Sequence, residues 1–206
     1  CRTLPESDLH PAGSNLRVIT YNVNWGGRNP EDVIGFLQTS KADLIFLQET
    51  HPKWASVLRS GLGDGYPYMV FEHRPGAGGI GFLSKYKLRK VRVIEPEVGW
   101  FPALAAEADT PLGRIGLLNV HLRPSLSDEG KVNISSLYTT GSVRREEIQG
   151  FLKTAQPEGL WIIAGDFNEG EDGASVGWLR EQGFEDALSI YDLSLIHISE
   201  PTRLRR

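Results

Sequence analysis

Cysteine occurs once and histidine five times in this chain of 206 residues. A single cysteine excludes an internal disulfide, and so few thiols and imidazoles disfavour a zinc site. No apolar run approaches the length needed to cross a bilayer. Neither sign of charge dominates, since the net charge is −4 and the pI is near 5.8. This balance argues weakly against non-specific binding to nucleic acid, although a local basic groove is compatible with it.

The chain length suits one domain with a substantial core, and two domains would be cramped. Apolar residues make up 40% of the sequence and charged residues 23%, which is ordinary for a globular protein. A polar tether at 1–15 precedes the first strand-like run. The initial Cys1 resembles the lipid-bearing cysteine of a mature bacterial lipoprotein, which would place the protein at the cell envelope, in the periplasm or outside the cell. A gene-fragment boundary is the open alternative.

Alternating and continuous apolar patterns predict seven strands separated by helices and turns. The predicted strands are 16–23, 42–49, 66–72, 79–85, 90–96, 113–122 and 160–167. Helices are predicted at 30–40, where Pro30 suits the first turn, and at 142–155, where Ser142 suits an N-cap. Several strands are apolar on both faces, which is typical of sheets covered on both sides. The pattern predicts a layered α/β sandwich without repeats.

Four of the predicted strands finish in polar side chains. The groups are Asn22 and Asn24, Gln48 and Glu49, Asn119 and His121, and Asp166 and Asn168. Carboxylates, carboxamides and an imidazole can together hold a hard cation and a phosphate. Oxygen ligands favour Mg²⁺ or Mn²⁺ over Zn²⁺. Taken singly, Asn22 is compatible with a turn and His121 with a structural histidine.

Five segments resemble those of the endonuclease/exonuclease/phosphatase superfamily, in the family's order. They are "TYNVNWGG", "ADLIFLQET", "GGIGFLSKYKL", "LLNVHL" and "IIAGDFNEG". The resemblance implies the deoxyribonuclease-like fold, a four-layer α/β/β/α sandwich of two packed sheets flanked by helices. It also implies metal-dependent attack of water on a phosphate ester at one edge of the sandwich.

The resemblance assigns a role to each matching position. Glu49 corresponds to the metal-binding glutamate, with Asn22 assisting at the metal or phosphate, and Asn24 is a weaker candidate. Asp166 corresponds to the aspartate that orients or deprotonates the attacking water, and Asn168 to the carboxamide that contacts the phosphate. His121 corresponds to a histidine that hydrogen-bonds the phosphate. Arg144 and Arg145 are interpreted as surface residues paired with neighbouring glutamates.

The C-terminal sequence departs from the family pattern. Relatives end in an Asp-His pair, whereas here Ile196 precedes His197. The segment 193–206 resembles translated sequencing-adapter sequence, so the domain is expected to occupy 16–192 and to lack the final strand or strands. A chain truncated there is expected to have reduced activity and stability.

These observations predict a Mg²⁺- or Mn²⁺-dependent hydrolase of phosphodiesters, with a nuclease as the leading hypothesis. A phospholipid or small-molecule phosphodiesterase or phosphatase is the alternative, because fold does not choose the substrate. A third hypothesis is a binding module of the same fold without turnover. The expected partners are a phosphate-ester substrate, nucleic acid among the candidates, and a membrane reached through Cys1. We expect a monomer.

Overall fold

The computed structural model describes residues 15–125 and 134–187, with segment 134–139 described by its backbone alone. The tether at 1–15 with Cys1, the tail at 193–206 and His197 lie outside these residues, apart from Asn15, so the predictions made for them remain predictions. The chain divides into two compact units. Of the described residues, the first contains 15–95, Phe101–His121 and Phe151–Asp166, and the second contains Pro96–Trp100, 122–125, 134–150 and 167–187.

Two four-stranded sheets form the first unit, and they share one pairing pattern. The first sheet has the order β1-β2-β4-β3, and its strands are Val18–Asn22, Leu44–Gln48, Ile80–Ser84 and Tyr68–Glu72. The second has the order β8-β7-β6-β5, and its strands are Trp161–Asp166, Gly113–His121, Ala103–Thr110 and Leu88–Ile94. In each sheet the first pair is parallel and the other two pairs are antiparallel. Each sheet therefore has one edge where two carboxyl ends lie side by side.

Helices α1 (Pro30–Ser40) and α2 (Pro52–Leu62) cover the outer face of the first sheet. Both begin with proline, whose missing N–H costs nothing in a first turn. The Asn29 side chain accepts a hydrogen bond from the N–H of Glu31 and so caps α1. Apolar residues of both helices pack on β2 and β4, and the buried members are Val33, Leu37, Trp54, Leu58, Leu62, Ile45, Leu47 and Leu83.

The inner faces of the two sheets form a second apolar core. Its buried residues are Leu44, Phe46, Ile80, Phe82, Leu104, Ala106, Ala108, Ile115 and Leu117. Phe46 and Phe82 meet edge to face, with ring centroids 5.0 Å apart. Strands β2 and β4 are buried along their whole length because one face meets the helices and the other meets the second sheet. This burial explains their continuous apolar sequences.

Strand β6 is absent from the predicted strands. Its sequence, ALAAEADT, is rich in alanine and acidic residues, which have low strand propensity. Hydrogen bonding to β5 and β7 on its two sides overrides that propensity. In the glycine-rich segment at 76–81, Gly76–Gly78 form one 3-10 turn, and residues 80 and 81 already belong to β4.

Helix α3 (Ile134–Ala155) begins eight residues before the helix predicted from Ser142. Ser142 therefore lies inside a helix, and the prediction of an N-cap there was wrong. The sequence TTGS resembles a turn, but Gly141 continues the helix at a modest propensity cost. Helix α4 (Ala174–Glu181) follows β8, and Ser175 lies in its first turn. Among the described helices, none has the length and apolar character needed to cross a bilayer.

Candidate active site

Strand register brings the predicted polar side chains together within the first unit. Asn22 pairs with Gln48 at the last position of β1 and β2, and His121 pairs with Asp166 at the last position of β7 and β8. Glu49 follows Gln48 directly. Because the carboxyl ends of parallel strands lie at the same edge of a sheet, the two parallel pairs bring the ends of four strands to one place.

The amide of Asn22 joins two carboxylates. Its Nδ2 donates to Glu49 Oε1 at 2.9 Å and to Asp166 Oδ2 at 3.0 Å. Its Oδ1 accepts from the backbone N–H of Asn24 at 2.8 Å, which fixes the amide orientation. Both carboxylate oxygens lie within hydrogen-bond distance of one nitrogen, so they are at most about 6 Å apart. Two negative charges at this separation repel unless a cation or a proton accompanies them.

Glu49 has an unusual backbone conformation. Its φ is 59°, in the left-handed region that residues with a Cβ rarely adopt. Such conformations cost free energy and persist where the surroundings impose them. Here the buried strand β2 ends at Gln48, and the backbone N–H of Thr50 donates to the carbonyl of Gly79 at 3.1 Å. The chain is therefore held on both sides of Glu49, and the strained residue presents its carboxylate toward Asn22.

His121 faces both carboxylates from the end of β7. Its Nε2 lies 4.0 Å from Glu49 Oε1 and 3.9 Å from Asp166 Oδ2. The ring is 4% exposed, and it stacks on Phe101 with centroids 4.3 Å apart. Burial lowers the pKa of His121, and the nearby charges of Asp166 and Glu49 oppose that effect. Since desolvation is the larger cause, the neutral imidazole is favoured. No sequence motif signals the contribution of Phe101.

Gln48 and Asn119 stand at strand ends in the sequence, yet they do not face a ligand. Both are buried, and Gln48 Nε2 donates to Asn119 Oδ1 at 2.7 Å across the two sheets. Asn119 Nδ2 donates to the carbonyls of Leu47 at 3.0 Å and Gly81 at 2.8 Å. The buried amides therefore satisfy each other and join the sheets. The family resemblance assigned neither of them a role in the site.

Gly165 lets β8 approach β7 directly before Asp166. Its φ is 151°, and a Cβ there would lie 1.9 Å from the carbonyl oxygen of Val120. No side chain fits that space, because the backbone of a paired strand cannot give way. The glycine therefore supports the position of Asp166.

The remaining predicted residues occupy other positions. Asn24 is exposed, with φ 54°, and its backbone N–H supports Asn22. Asn168 belongs to the second unit, where its Nδ2 donates to the carbonyl of Leu122 at 2.8 Å. Its φ of 52° is in the left-handed region, which asparagine tolerates better than most residues.

The first-unit residues suit a hard divalent cation. Within the described ranges, no three His, Cys, Asp or Glu side chains are grouped as a metal cage. Magnesium does not require one, since it keeps several waters and binds proteins through one or two carboxylates. The carboxylates that could hold such an ion are those of Glu49 and Asp166, whose side chains are 18% and 25% exposed. Asn22 turns its amide nitrogen toward them, so in this arrangement it positions carboxylates rather than donating an oxygen to a metal.

A second buried acidic cluster lies in the second unit. Arg144 is 5% exposed; its Nε donates to the carbonyl of Arg123 at 2.7 Å and its Nη1 lies 3.9 Å from Glu169 Oε2. The interpretation of Arg144 as a surface residue was therefore wrong, whereas Arg145 is 47% exposed. Glu147 is buried and accepts from the N–H of Arg123 at 2.9 Å. Burial raises the pKa of Glu147 to about 7.

Several solved structures share this fold. Sphingomyelinase C from Streptomyces griseocarneus superposes with TM-score 0.61 at 20% identity, covering 83% of this chain and 70% of that chain. A β-hairpin deletion mutant of Staphylococcus aureus β toxin gives TM-score 0.62 at 14% identity, covering 84% and 75%. D. rerio TDP2 complexed with a single-strand DNA product gives TM-score 0.60 at 19% identity, covering 80% and 64%.

These likenesses confirm the predicted mixed α/β, deoxyribonuclease-like fold. The chain spans 64% of the length of that TDP2 structure. None of the curated proteins compared with the chain is significantly similar to it in sequence. Residues 19–203, most of the sequence, match the family model described as Endonuclease/Exonuclease/phosphatase family. The resemblance of the five segments is thereby confirmed, and the chain belongs to the endonuclease/exonuclease/phosphatase family.

Proposed function

We propose that the protein is a divalent-metal-dependent hydrolase of phosphodiesters, and that its substrate is a nucleic acid. The observation that carries the proposal is the single amide of Asn22 holding the carboxylates of Glu49 and Asp166. Paired carboxylates beside a neutral imidazole suit phosphoryl transfer, which needs mainly alignment and neutralisation of charge. The substrate preference is supported by the fold shared with TDP2, whose structure contains a single-strand DNA product.

In the proposed reaction the residues of the first unit act on the attacking water, the phosphate and the cation. Asp166 accepts a proton from the attacking water at a carboxylate oxygen. His121 donates a hydrogen bond from Nε2 to a phosphate oxygen, which its neutral form can do if that nitrogen carries the proton. Asn22 holds the carboxylates of Asp166 and Glu49 in a fixed relative position, so the water is aligned before attack. Asn168 keeps the phosphate-binding role that its motif implies, as a prediction from the sequence.

Glu49 and Asp166 would hold the cation. A bound Mg²⁺ or Mn²⁺ would supply charge neutralisation at the phosphate. The strained backbone of Glu49 fits this role, because strain of this kind is common where a side chain must be presented in one direction.

Hydrolysis of bis(p-nitrophenyl) phosphate, with and without Mg²⁺, tests the proposal. We expect Mg²⁺-dependent release of nitrophenol and a loss of roughly 10²- to 10⁴-fold in Asp166→Asn, because a general base is removed. Asp64→Asn is the matched control, since Asp64 is exposed, and we expect it to stay within about twofold of the parent. Turnover that survives in Asp166→Asn would overturn the proposed role.

A phospholipid phosphodiesterase is the second candidate, favoured by the fold shared with sphingomyelinase C. Parallel assays on a single-stranded oligonucleotide and on sphingomyelin micelles separate the two candidates. Faster cleavage of the oligonucleotide supports the nuclease, and faster cleavage of the lipid supports the alternative. Binding of Mg²⁺ and oligonucleotide without turnover would favour a binding module instead.

A further inference from the structure

We propose that Trp25 is a specificity-determining residue, which stacks on a nucleobase next to the phosphate that is cleaved. The inference rests on the proposed function and deepens it. Trp25 lies in the turn between β1 and α1, three residues after Asn22. Its side chain is 51% exposed, more than any other tryptophan, tyrosine or phenylalanine of the described residues.

The backbone of this turn is held in a costly conformation. Asn24 and Trp25 have consecutive φ angles of 54° and 40°. Asparagine tolerates the left-handed region, but a bulky aromatic residue there is an outlier. Strained residues of this kind cluster at sites that bind ligands, where the strain is held by the surroundings. Since 51% of Trp25 stays exposed, packing within the chain uses only part of its surface, and the strain points to a role outside the core.

Hydrogen bonds connect this turn to the carboxylate pair. The N–H of Asn24 donates to Asn22 Oδ1 at 2.8 Å, and the N–H of Gly27 donates to the carbonyl of Asn24 at 2.6 Å. The indole N–H of Trp54, which is 3% exposed, donates to the carbonyl of Trp25 at 2.8 Å. A Cβ at Gly27 would lie 2.4 Å from Asn24 Nδ2, so a larger residue there would displace the Asn24 side chain. The main chain of Trp25 is therefore fixed while its ring stays exposed.

Exposed charges of both signs lie around the turn, since Glu31 and Asp32 are in the first turn of α1, and the two cations are the groups that suit a phosphate backbone. Arg28 lies in the same turn, and Lys53 precedes Trp54 in the first turn of α2; both are exposed. Within residues 15–125 and 134–187, no ion pair involves Arg28 or Lys53. Cations beside an exposed aromatic ring suit a phosphate backbone whose bases stack on the ring.

Binding of a fluorescein-labelled dT oligonucleotide, followed by anisotropy in the full 206-residue chain, tests the inference without requiring turnover. We expect Trp25→Ala to weaken binding by roughly 5- to 150-fold, the loss typical of one base-aromatic stack. Trp25→Phe should bind within about threefold of the parent, because a smaller ring still stacks. Tyr68→Ala is the matched control, since Tyr68 is 38% exposed on edge strand β3, and we expect no change. Circular dichroism melting of each variant verifies folding.

An oligonucleotide of the same length with abasic sites distinguishes stacking from a general loss of affinity. Trp25→Ala should bind this oligonucleotide as the parent does, within about twofold. Equal weakening on both oligonucleotides, or no weakening on either, would overturn the inference. So would an unchanged affinity for oligonucleotides together with a loss of affinity for sphingomyelin micelles, which would assign the ring to a lipid. Failure of phosphodiester hydrolysis would reject the proposed function alone, because stacking is measured by binding.

Arg28→Ala gives an independent measurement. We expect the slope of log affinity against log salt to become shallower by about one, since one phosphate contact is lost. The effect should be similar on the abasic oligonucleotide, because the phosphates remain. An unchanged salt slope would remove the charge argument for nucleic acid and overturn the choice of partner.

Discussion

Two acidic clusters in this protein differ in how their carboxylates are held. In the first unit, the carboxylates of Glu49 and Asp166 share one amide donor from Asn22 and remain 18% and 25% exposed. In the second unit, Glu147 is 1% exposed, and the side chain of Glu169 is 5% exposed beside Arg144. Glu169 Oε1 also accepts from the N–H groups of Ser175 and Val176 at 2.9 and 3.0 Å, which caps α4.

This difference in exposure and hydrogen-bond donors distinguishes a candidate ligand site from a cluster that holds chain segments together. Buried carboxylates that receive backbone N–H groups and an arginine hold chain segments together. Two carboxylates that converge on one amide and stay partly exposed are suited to bind a cation. Burial and charge alone therefore do not identify the candidate active site. The hydrogen-bond donors that each group of carboxylates receives distinguish the candidate site from the structural cluster.

The largest expected effect on stability lies in the structural cluster. Arg144→Ala leaves the charge of Glu169 and the carbonyl of Arg123 without this partner in a buried region. We expect a loss of about 3 to 5 kcal/mol of unfolding free energy, measured by urea denaturation. Arg145→Ala is the control, since its 47% exposed side chain pairs with an exposed Glu181, and should change stability by less than about 0.5 kcal/mol. Equal losses of unfolding free energy in Arg144→Ala and Arg145→Ala would contradict the contrast between the buried and the exposed arginine.

A backbone change tests how the carboxylate pair is held. Gly165→Ala places a Cβ against the Val120 carbonyl, so we expect about 3 kcal/mol of destabilisation and a loss of turnover. Gly35→Ala in helix α1 is the control, because nothing lies within 4 Å of its added Cβ. It should instead raise stability by about 0.5 to 1 kcal/mol. A stable, fully active Gly165→Ala protein would show that the close approach of β8 to β7 is unnecessary.

Glu147 makes the structural cluster dependent on pH. Its pKa is raised from 4.5 to about 7, so the folded state binds the proton more tightly than the unfolded state. The stability that protonated Glu147 contributes to the folded state is fully present below pH 4.5 and is lost as pH rises through about 7. We expect Glu147→Gln to remove about 2 to 3 kcal/mol of this pH dependence, measured by urea denaturation at pH 5 and pH 8. Parallel pH profiles for parent and variant would contradict it.

The smallest expected effect lies at the carboxylate pair itself. Glu49→Gln removes one of two adjacent negative charges, so we expect unfolding free energy to rise by up to about 1 kcal/mol without metal. Mg²⁺ at 100 times its dissociation constant should stabilise the parent by about 2.7 kcal/mol, and Glu49→Gln much less. Thermal melts with and without Mg²⁺ measure both. Equal stabilisation of parent and variant by Mg²⁺ would remove Glu49 from the cation site.

Periodicity predicted most of the fold because the strands of the sandwich are buried and apolar. Strands β2 and β4 are continuous apolar runs in the sequence, and the structure places them in the sheet centre. Strand β6 escaped prediction because hydrogen bonds on both sides, rather than its alanine-rich sequence, make it a strand. The early start of α3 was missed because Gly141 follows two threonines and resembles a turn.

The candidate site, like the fold, was predicted only in part from the sequence. Sequence motifs named Asn22, Glu49, His121 and Asp166, and the structure gathers them at the ends of two parallel strand pairs. The polar strand ends alone could not distinguish Gln48 and Asn119 from these, because all six are polar residues near strand ends, whereas the family resemblance gave neither of the two a role. Only their burial between the sheets shows that the two amides bind each other.

The sequence by itself indicated most of the strands, the family and the candidate residues for a cation, because these depend on local patterns of apolar and polar side chains. The tertiary structure alone decided which acidic groups face one another and which are closed off by arginine and backbone donors. Such pairings join residues far apart in the chain, as between Asn22 and Asp166. Local sequence patterns contain no information about the distance between such residues, so only the folded structure sets the contact.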